Sequence, residues 1–122
     1  MLLKDLTEKI IGCSIEVHKE LGPGLLESIY ESALSIELFQ RGLHFERQKP
    51  LPVGYKGEQI GEFRIDLLVE DTVVVELKST ERHDPLFEAQ LLSYMKLGGY
   101  SIGLLINFNS LMLTKGVKRF VT

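Results

Sequence analysis

The stretch FRIDLLVEDTVVVELKS, residues 63–79, reads as two apolar strands joined by a short acidic turn. Side chains alternate between the two faces of a sheet, so the apolar residues of both strands can share one face in only some registers. The register that achieves this has a three-residue connection, residues 70–72, which is a common hairpin length. It predicts three facing pairs: Val69 with Val73, Leu67 with Val75, and Ile65 with Leu77.

This register places charged groups opposite each other in the middle of the sheet. Asp66 lies across from Glu76 with Cβ atoms about 5 Å apart, and Lys78 is one side-chain step further on the same face. Two carboxylates at that distance repel each other unless a cation lies between them. Arg64 or Lys78 could supply the charge through ordinary cross-strand ion pairs, each contributing under ~1 kcal/mol. A divalent metal is the other candidate, and hard oxygen ligands at this spacing suit Mg²⁺ or Mn²⁺.

The segments on the N-terminal side of this hairpin read as two helices and an extended stretch. Apolar residues at three- and four-residue steps predict a helix over 3–21, ended by the LGPG sequence at 21–24. A second helix is predicted over about 25–41, and an edge strand or loop, with two prolines, over 43–53. A turn is predicted at Lys56-Gly57. The apolar stripe of the second helix is predicted to comprise Leu26, Ile29, Ala33 and Ile36.

The C-terminal third predicts one helix and two or three strands. Asp84 is a good N-cap with Pro85 at the first helical position, and Gly98-Gly99 ends the helix. The segment at 100–108, YSIGLLINF, predicts a strand covered on both faces. One or two short strands follow in residues 111–121, so the predicted order is α-α-β-β-β-α-β-β.

Composition restricts the functions that the chain can have. The 122 residues, 44% hydrophobic and 25% charged, fit a single compact domain over 1–122. The net charge of −3 means that contact with nucleic acid must be local, metal-assisted or shared with a partner chain. Cys13 is the single cysteine, expected to be a buried inert thiol, and no stretch approaches the ~20 apolar residues of a membrane span. With no signal-peptide pattern at the N-terminus, the expected location is the cytoplasm.

The charged hairpin residues resemble a known motif. Asp66 followed by Glu76-Leu77-Lys78 resembles the signature of the PD-(D/E)-x-K nuclease superfamily, although Ile65 stands where the pattern usually has proline. The resemblance implies an α/β fold with the PD-(D/E)XK (restriction-endonuclease-like) core, a mixed central sheet flanked by helices. It spans about residues 10–120, and the predicted order of elements agrees with it.

Two further motifs strengthen the resemblance. Gly24, Glu27 and Tyr30 in GLLESIY are similar to the motif of the GxxExxY protein family, which is grouped with these nucleases. Gln90 and Tyr94 in QLLSY resemble the Q-x-x-x-Y motif of the exonuclease branch.

The resemblance implies a role for each of these residues. Asp66, Glu76 and the backbone carbonyl of Leu77 would bind Mg²⁺ or Mn²⁺, and Glu27 would bind it directly or through water. Lys78 would contact the attacking water or the scissile phosphate. Gln90 would orient Lys78, water or phosphate, and the substrate would be bound by Tyr30, Tyr94, Arg64 and Arg82.

The residues alone leave plainer roles open for several positions. Glu27 could simply stabilise the first turn of a helix, where a carboxylate faces the positive end of the helix dipole. Tyr30 could pack against the sheet, Gln90 and Tyr94 could belong to the core, and Arg82 could be a solvated loop charge.

The resulting functional hypothesis is a metal-dependent nuclease that hydrolyses phosphodiester bonds of DNA, or alternatively RNA. The alternative is a non-catalytic module that keeps the nuclease fold and binds nucleic acid or protein. No membrane is expected as a partner. A homodimer is possible through the first helix or the C-terminal strand.

Overall fold

The computed structural model describes residues 2–122, which form three α-helices and a five-stranded sheet. The helices are α1 (Leu3–Leu21), α2 (Glu27–Gln40) and α3 (Pro85–Gly98). The strands are β1 (Phe45–Tyr55), β2 (Glu58–Val69), β3 (Val73–Lys78), β4 (Ile102–Asn107) and β5 (Val117–Val121), with a 3₁₀ turn, Leu113–Gly116, before β5. This order confirms the predicted α-α-β-β-β-α-β-β arrangement.

The sheet is mixed, with its strands in the order β1-β2-β3-β4-β5. β3 and β4 are parallel and joined through α3, as a parallel pair requires a crossover connection, whereas the other neighbours are antiparallel. β1, which contains Pro50 and Pro52, forms an edge of the sheet as predicted. β1 and β2 are joined by the predicted turn, where Lys56 and Gly57 both adopt positive φ.

Two apolar cores cover the two faces of this sheet. α1 and α2 pack on one face through residues such as Ile10, Cys13 and Leu34. α3 packs on the other face through Leu91 and Met95. β3 and β4 lie between the cores and are buried along almost their whole length, which explains their nearly continuous apolar sequences. No helix among residues 2–122 is long and apolar enough to cross a membrane.

The predicted apolar stripe of α2 is wrong in its direction. Leu26, Ile29 and Ile36 are exposed, and of the four predicted stripe residues only Ala33 packs, in part, against the core. α2 carries apolar residues on two sides, so spacing alone does not show which side faces the sheet. The buried side of α2 comprises Tyr30, Glu31, Leu34, Ser35 and Leu38.

The predicted β2–β3 register is confirmed next to the turn and wrong at its far end. The ladder pairs Val69 with Val73 and Leu67 with Val75, and it stops there. The pairing of Ile65 with Leu77 is not formed, because Ile65 packs in the α3 core whereas Leu77 packs in the core under α1 and α2.

The cause is a change of face in both β1 and β2 at the positions of Gln48 and Asp66. In β2, Ile65 faces α3 although it is an even number of residues from Leu67, which faces α1 and α2. In β1, Arg47 contacts α2 whereas Leu51 packs with the α3 core. Gln48 has a φ of +50°, and its pairing with Asp66 is missing between the paired residues Arg47–Leu67 and Lys49–Ile65. The strict alternation assumed from the sequence therefore fails at this one pair.

Close packing of α3 on the sheet depends on Gly103 in β4, which gives a testable prediction. A Cβ at Gly103 would lie 2.7 Å from the Met95 sulfur and 3.1 Å from a methyl group of Leu91. Gly103→Ala should therefore lower the free energy of unfolding by about 1–3 kcal/mol, measured by urea denaturation.

Gly61→Ala is the control, because a Cβ there has no neighbour within 4 Å. It should change stability by less than about 0.5 kcal/mol. Equal stability of the two variants would contradict this account of the α3 packing.

Candidate functional site

The Asp66 and Glu76 carboxylates each accept a hydrogen bond from a backbone N–H of the neighbouring strand. The Asp66 backbone N–H donates to Glu76 Oε1 at 3.2 Å, and the Leu77 backbone N–H donates to Asp66 Oδ2 at 2.8 Å. These bonds lie just beyond the last paired residues of the β2–β3 ladder. In a regular ladder these two N–H groups would donate to backbone carbonyls of the neighbouring strand. Here the carboxylates accept instead, so β2 and β3 separate with both acids between them.

Burial makes this pair of acids electrostatically unusual. Glu76 is only 7% exposed, and its burial, followed by the nearby charge of Asp66, raises its pKa to about 8. Burial also raises the pKa of Asp66, against the opposing effect of its hydrogen bonds from Leu77 and Gln48. The two groups together therefore favour a bound proton or another cation near neutral pH.

Lys78 ends β3 close to these acids without forming an ion pair with them. Its Nζ lies 4.4 Å from the centroid of the Phe87 ring, a cation–π arrangement. Among residues 2–122, no lysine, arginine or histidine forms a salt bridge with Asp66 or Glu76. The cross-strand ion pairs considered from the sequence are therefore not formed.

Arg64, predicted to bind substrate, is exposed on β2 and directed elsewhere. It lies 3.5 Å from Glu62 and donates to the backbone carbonyl of Gln48 at 3.3 Å. The predicted substrate contact of Arg64 remains a prediction.

The GxxExxY stretch forms the loop that enters α2. Gly24 has a φ of +95°, a conformation that favours glycine. Tyr30 is fully buried and stacks on Phe108 at 4.4 Å between ring centroids. Its hydroxyl donates to the Gly22 carbonyl at 2.5 Å and accepts from the Leu25 N–H at 3.1 Å. Of the roles considered for Tyr30, the packing role is the one that this geometry supports.

This loop is also attached to the end of β3, which brings Glu27 near Lys78. The Ser79 hydroxyl donates to the Leu25 carbonyl at 2.5 Å, and Glu27 begins α2 two residues later. Partial burial raises the pKa of Glu27, while Lys78 opposes this effect and Asp66 adds to it. Glu27 therefore lies within electrostatic range of the acid pair.

Glu27 does not complete a ready three-ligand cluster. Within residues 2–122, no group of three or more carboxylate, imidazole or thiol side chains converges at metal-binding distance. Direct ligation by Glu27 stays a prediction, as does its alternative through a water molecule.

α3 brings Tyr94 toward the acids and leaves Gln90 at the surface. Tyr94 is half-buried and packs its ring 4.6 Å from that of Phe63. Its pKa is raised by burial and then by the charges of Glu76 and Asp66. Gln90 is exposed one turn earlier on the same helix.

Arg82 is in the exposed loop before α3. Its backbone carbonyl accepts a hydrogen bond from the Thr80 hydroxyl at 3.0 Å. Whether Gln90 and Arg82 contact a substrate remains a prediction.

A chain of polar side chains that was not predicted from the sequence holds Asp66 from the side of α2. Glu31 is 8% exposed and accepts hydrogen bonds from Arg47 Nε at 3.0 Å and from Gln48 Nε2 at 2.5 Å. Gln48 Nε2 also donates to Asp66 Oδ1 at 3.2 Å. The one available signal was Glu31 itself, four residues after Glu27 and hence on a similar side of α2.

The donor set fits a small divalent cation. Asp66 and Glu76 supply hard carboxylate oxygens side by side, and one oxygen of each is fixed by a backbone N–H. A cation could replace the proton that their raised pKa values favour. Mg²⁺ and Mn²⁺ suit such a site because Mg²⁺ is commonly held by one or two carboxylates with water completing the shell.

A structural role for the Tyr30 hydroxyl predicts a stability effect. Tyr30→Phe keeps the stack on Phe108 but removes the bonds to Gly22 and Leu25, so unfolding should become easier by about 1–2 kcal/mol in urea denaturation. Tyr55→Phe, at an exposed tyrosine, is the control and should be neutral. Unchanged stability of Tyr30→Phe would argue for a ligand-binding role instead.

The raised pKa of Glu76 predicts that stability falls as pH rises. The folded protein retains a proton up to about pH 8 that the unfolded chain releases near the ordinary value of 4.5. The free energy of unfolding should therefore decrease between these pH values, by roughly 2–4 kcal/mol from this group, and stay level above them. Urea denaturation at pH 5 and pH 8.5 measures the loss.

Glu76→Gln removes the titrating group and should abolish most of this pH dependence. Glu46→Gln, at an exposed carboxylate, should retain it. If wild type and Glu76→Gln lost equal stability between pH 5 and pH 8.5, Glu76 would not be the group that causes the pH dependence.

Comparison with known proteins gives one match. The family model described as the PD-(D/E)XK nuclease superfamily matches residues 4–120. Neither the curated proteins nor the solved structures compared with the chain include a significant match. The matched residues include Asp66 and Glu76, the loop that enters α2, and helix α3. The mixed sheet also agrees with the core of that family. The chain therefore belongs to the PD-(D/E)XK nuclease superfamily.

Proposed function

We propose that this protein is a metal-dependent nuclease that hydrolyses phosphodiester bonds of DNA or RNA with Mg²⁺ or Mn²⁺. The observation that carries the proposal is the pair of buried Glu76 and half-buried Asp66, oriented by backbone hydrogen bonds and not neutralised by an ion pair. A structural acid in a core is normally paired, because an unpaired buried charge is costly. The family membership of the chain supports a nuclease-like function.

Asp66 and Glu76 are the residues that would hold the metal, with the Leu77 carbonyl as a further oxygen donor. When bound, such an ion lowers the pKa of a coordinated water and neutralises charge on the scissile phosphate. Gln48 and the Leu77 N–H hold the Asp66 carboxylate in a fixed orientation. Glu27, beside Lys78, is proposed to act through water, and the loop held by Tyr30 keeps it there.

Lys78 is proposed to contact the phosphate or the attacking water. Its ammonium group stays on the Phe87 ring and outside any ion pair, so it remains available to an incoming anion. Tyr94, half-buried near the acids, and Gln90, one turn away, would face the same substrate. The loop into α2, which carries Gly24, Glu27 and Tyr30, supports placement in the GxxExxY branch.

A basic cavity next to Lys78 favours a polyanionic substrate. The cavity has a volume of about 310 Å³, and Lys78, His83, Lys115 and Lys118 line it together with Phe87. Glu88 partly balances this charge, since it contacts His83 and lies 3.1 Å from Lys118. A second phosphate of a nucleic-acid strand would fit in this cavity. Because the chain as a whole carries a net charge of −3, contact with nucleic acid requires such a local group of positive charges.

Cleavage assays with matched variants test the proposal. Asp66→Asn and Glu76→Gln should each lower Mg²⁺- or Mn²⁺-dependent cleavage of single- and double-stranded DNA and RNA by at least about 10²-fold. Glu62→Gln, an exposed carboxylate on the same strand as Asp66, should cleave like wild type. Cleavage by Asp66→Asn at the wild-type rate would eliminate the proposed mechanism.

Metal titration separates an enzyme from a non-catalytic module. Wild type should bind Mn²⁺ in calorimetry, and Glu76→Gln should bind it at least about tenfold more weakly. Absence of binding at millimolar Mn²⁺ would favour a module that keeps the fold without the activity.

A further inference from the structure

The backbone of β1 is strained at Gln48, the residue opposite Asp66. Its φ of +50° lies in the left-handed region, which is unfavourable for any residue with a Cβ atom. Glycine adopts this conformation readily, and the chain uses it at positive φ elsewhere, as at Gly24 and Gly57. Gln48 is also exposed, so burial gives no reason for a glutamine at this position. The reason must therefore lie in the contacts of its side chain.

The Gln48 amide forms a bridge between two carboxylates of different elements. Its Nε2 donates to Glu31 Oε1 at 2.5 Å and to Asp66 Oδ1 at 3.2 Å. A primary amide has two N–H donors, so one is available for each acid. Because the amide is neutral, it orients Asp66 without neutralising it. A lysine or arginine in its place would form an ion pair with Asp66 and compete with a bound cation.

The end of the bridge that lies toward α2 is firmly held. Glu31 is buried on α2, and its second carboxylate oxygen accepts a hydrogen bond from Arg47 Nε at 3.0 Å. The backbone at Gln48 is held as well, since Arg64 donates to the Gln48 carbonyl at 3.3 Å. The amide is thus placed between an anchored acid on α2 and the acid on β2.

We propose that Gln48 is a positioning residue for the binding of a divalent cation, and that its strained backbone places the amide between Glu31 and Asp66. Gln48 contacts Asp66 Oδ1 and the Leu77 N–H contacts Oδ2, so together they restrict rotation of the carboxylate. Loss of such a partner of a metal ligand commonly weakens metal affinity by roughly 10–100-fold. The inference rests on the proposed function, because it requires Asp66 to bind the cation.

A purely structural role for the same residue predicts different behaviour. β1 changes face at Gln48, since Arg47 contacts α2 and Leu51 packs in the α3 core, and a left-handed residue could serve that change alone. Glycine would then serve at least as well as glutamine. A positioning role instead requires the amide. The two roles are separated by a variant that allows the same backbone and lacks the amide.

Gln48→Gly is this variant, and Lys56→Gly is its matched control. Lys56 is likewise exposed, with a φ of +49°, but lies in the turn between β1 and β2. Both substitutions relieve a left-handed backbone, so neither should lower the urea midpoint of the metal-free protein by more than about 0.5 M. In calorimetry, Gln48→Gly should bind Mn²⁺ about tenfold more weakly than wild type. Lys56→Gly should bind it like wild type.

Gln48→Asn is a second test of the amide bridge. Asparagine tolerates a left-handed backbone, but its side chain is one methylene shorter and cannot reach both acids. This variant should therefore show the same weakened Mn²⁺ binding as Gln48→Gly.

NMR of the wild-type protein gives a signature that is independent of cleavage. Diamagnetic Mg²⁺ should shift the side-chain amide signals of Gln48, because the amide contacts a proposed ligand of the ion. The side-chain signals of Gln59, an exposed glutamine near the start of β2, should not move.

The outcomes separate this inference from the proposed function. Equal Mn²⁺ affinity of wild type and Gln48→Gly would overturn the positioning role and leave the nuclease proposal intact. Absence of Mn²⁺ binding by wild type would overturn both. If both Gln48 variants bound Mn²⁺ weakly but also lost more than about 0.5 M in urea midpoint, the amide would have a structural role and the inference would be wrong.

Discussion

The two hydrogen bonds that the Asp66 and Glu76 carboxylates accept from backbone N–H groups of the neighbouring strand are the constraint on which the rest of the site depends. These carboxylates accept the backbone N–H groups that a continuing ladder would have satisfied, so the separation of β2 from β3 leaves those donors paired. Burial of the same carboxylates raises their pKa values. One local feature thus opens the sheet, fixes the orientation of two carboxylates and raises their pKa values.

The neighbouring elements support this opening from both faces of the sheet. On the α2 side, Glu31 and Gln48 extend a chain of hydrogen bonds to Asp66, and the Tyr30 hydroxyl fixes the loop that leads to Glu27. On the α3 side, the Phe87 ring contacts the ammonium group of Lys78. The groups that surround the acids are held by packed elements rather than by free loops, which suits a site that must keep its geometry.

Sequence reasoning located most elements and the central acids, because the underlying signals are local. The proline at the start of α3, the glycines after α1 and α3, and the apolar pattern near the 70–72 turn each depend on a few adjacent residues. The face buried by α2 depends on tertiary packing, and the pattern could not choose between two apolar sides. The change of face at Gln48 and Asp66 was equally hidden, since a positive φ at glutamine has no sequence signature.

The net charge of the chain is negative, whereas the charge beside the candidate site is positive. A negative protein binds a polyanion only if positive charge is concentrated where the strand must lie, and the cavity beside Lys78 provides such a concentration. One cavity of this size contacts few phosphates, so affinity for a long strand would be weak for a single copy.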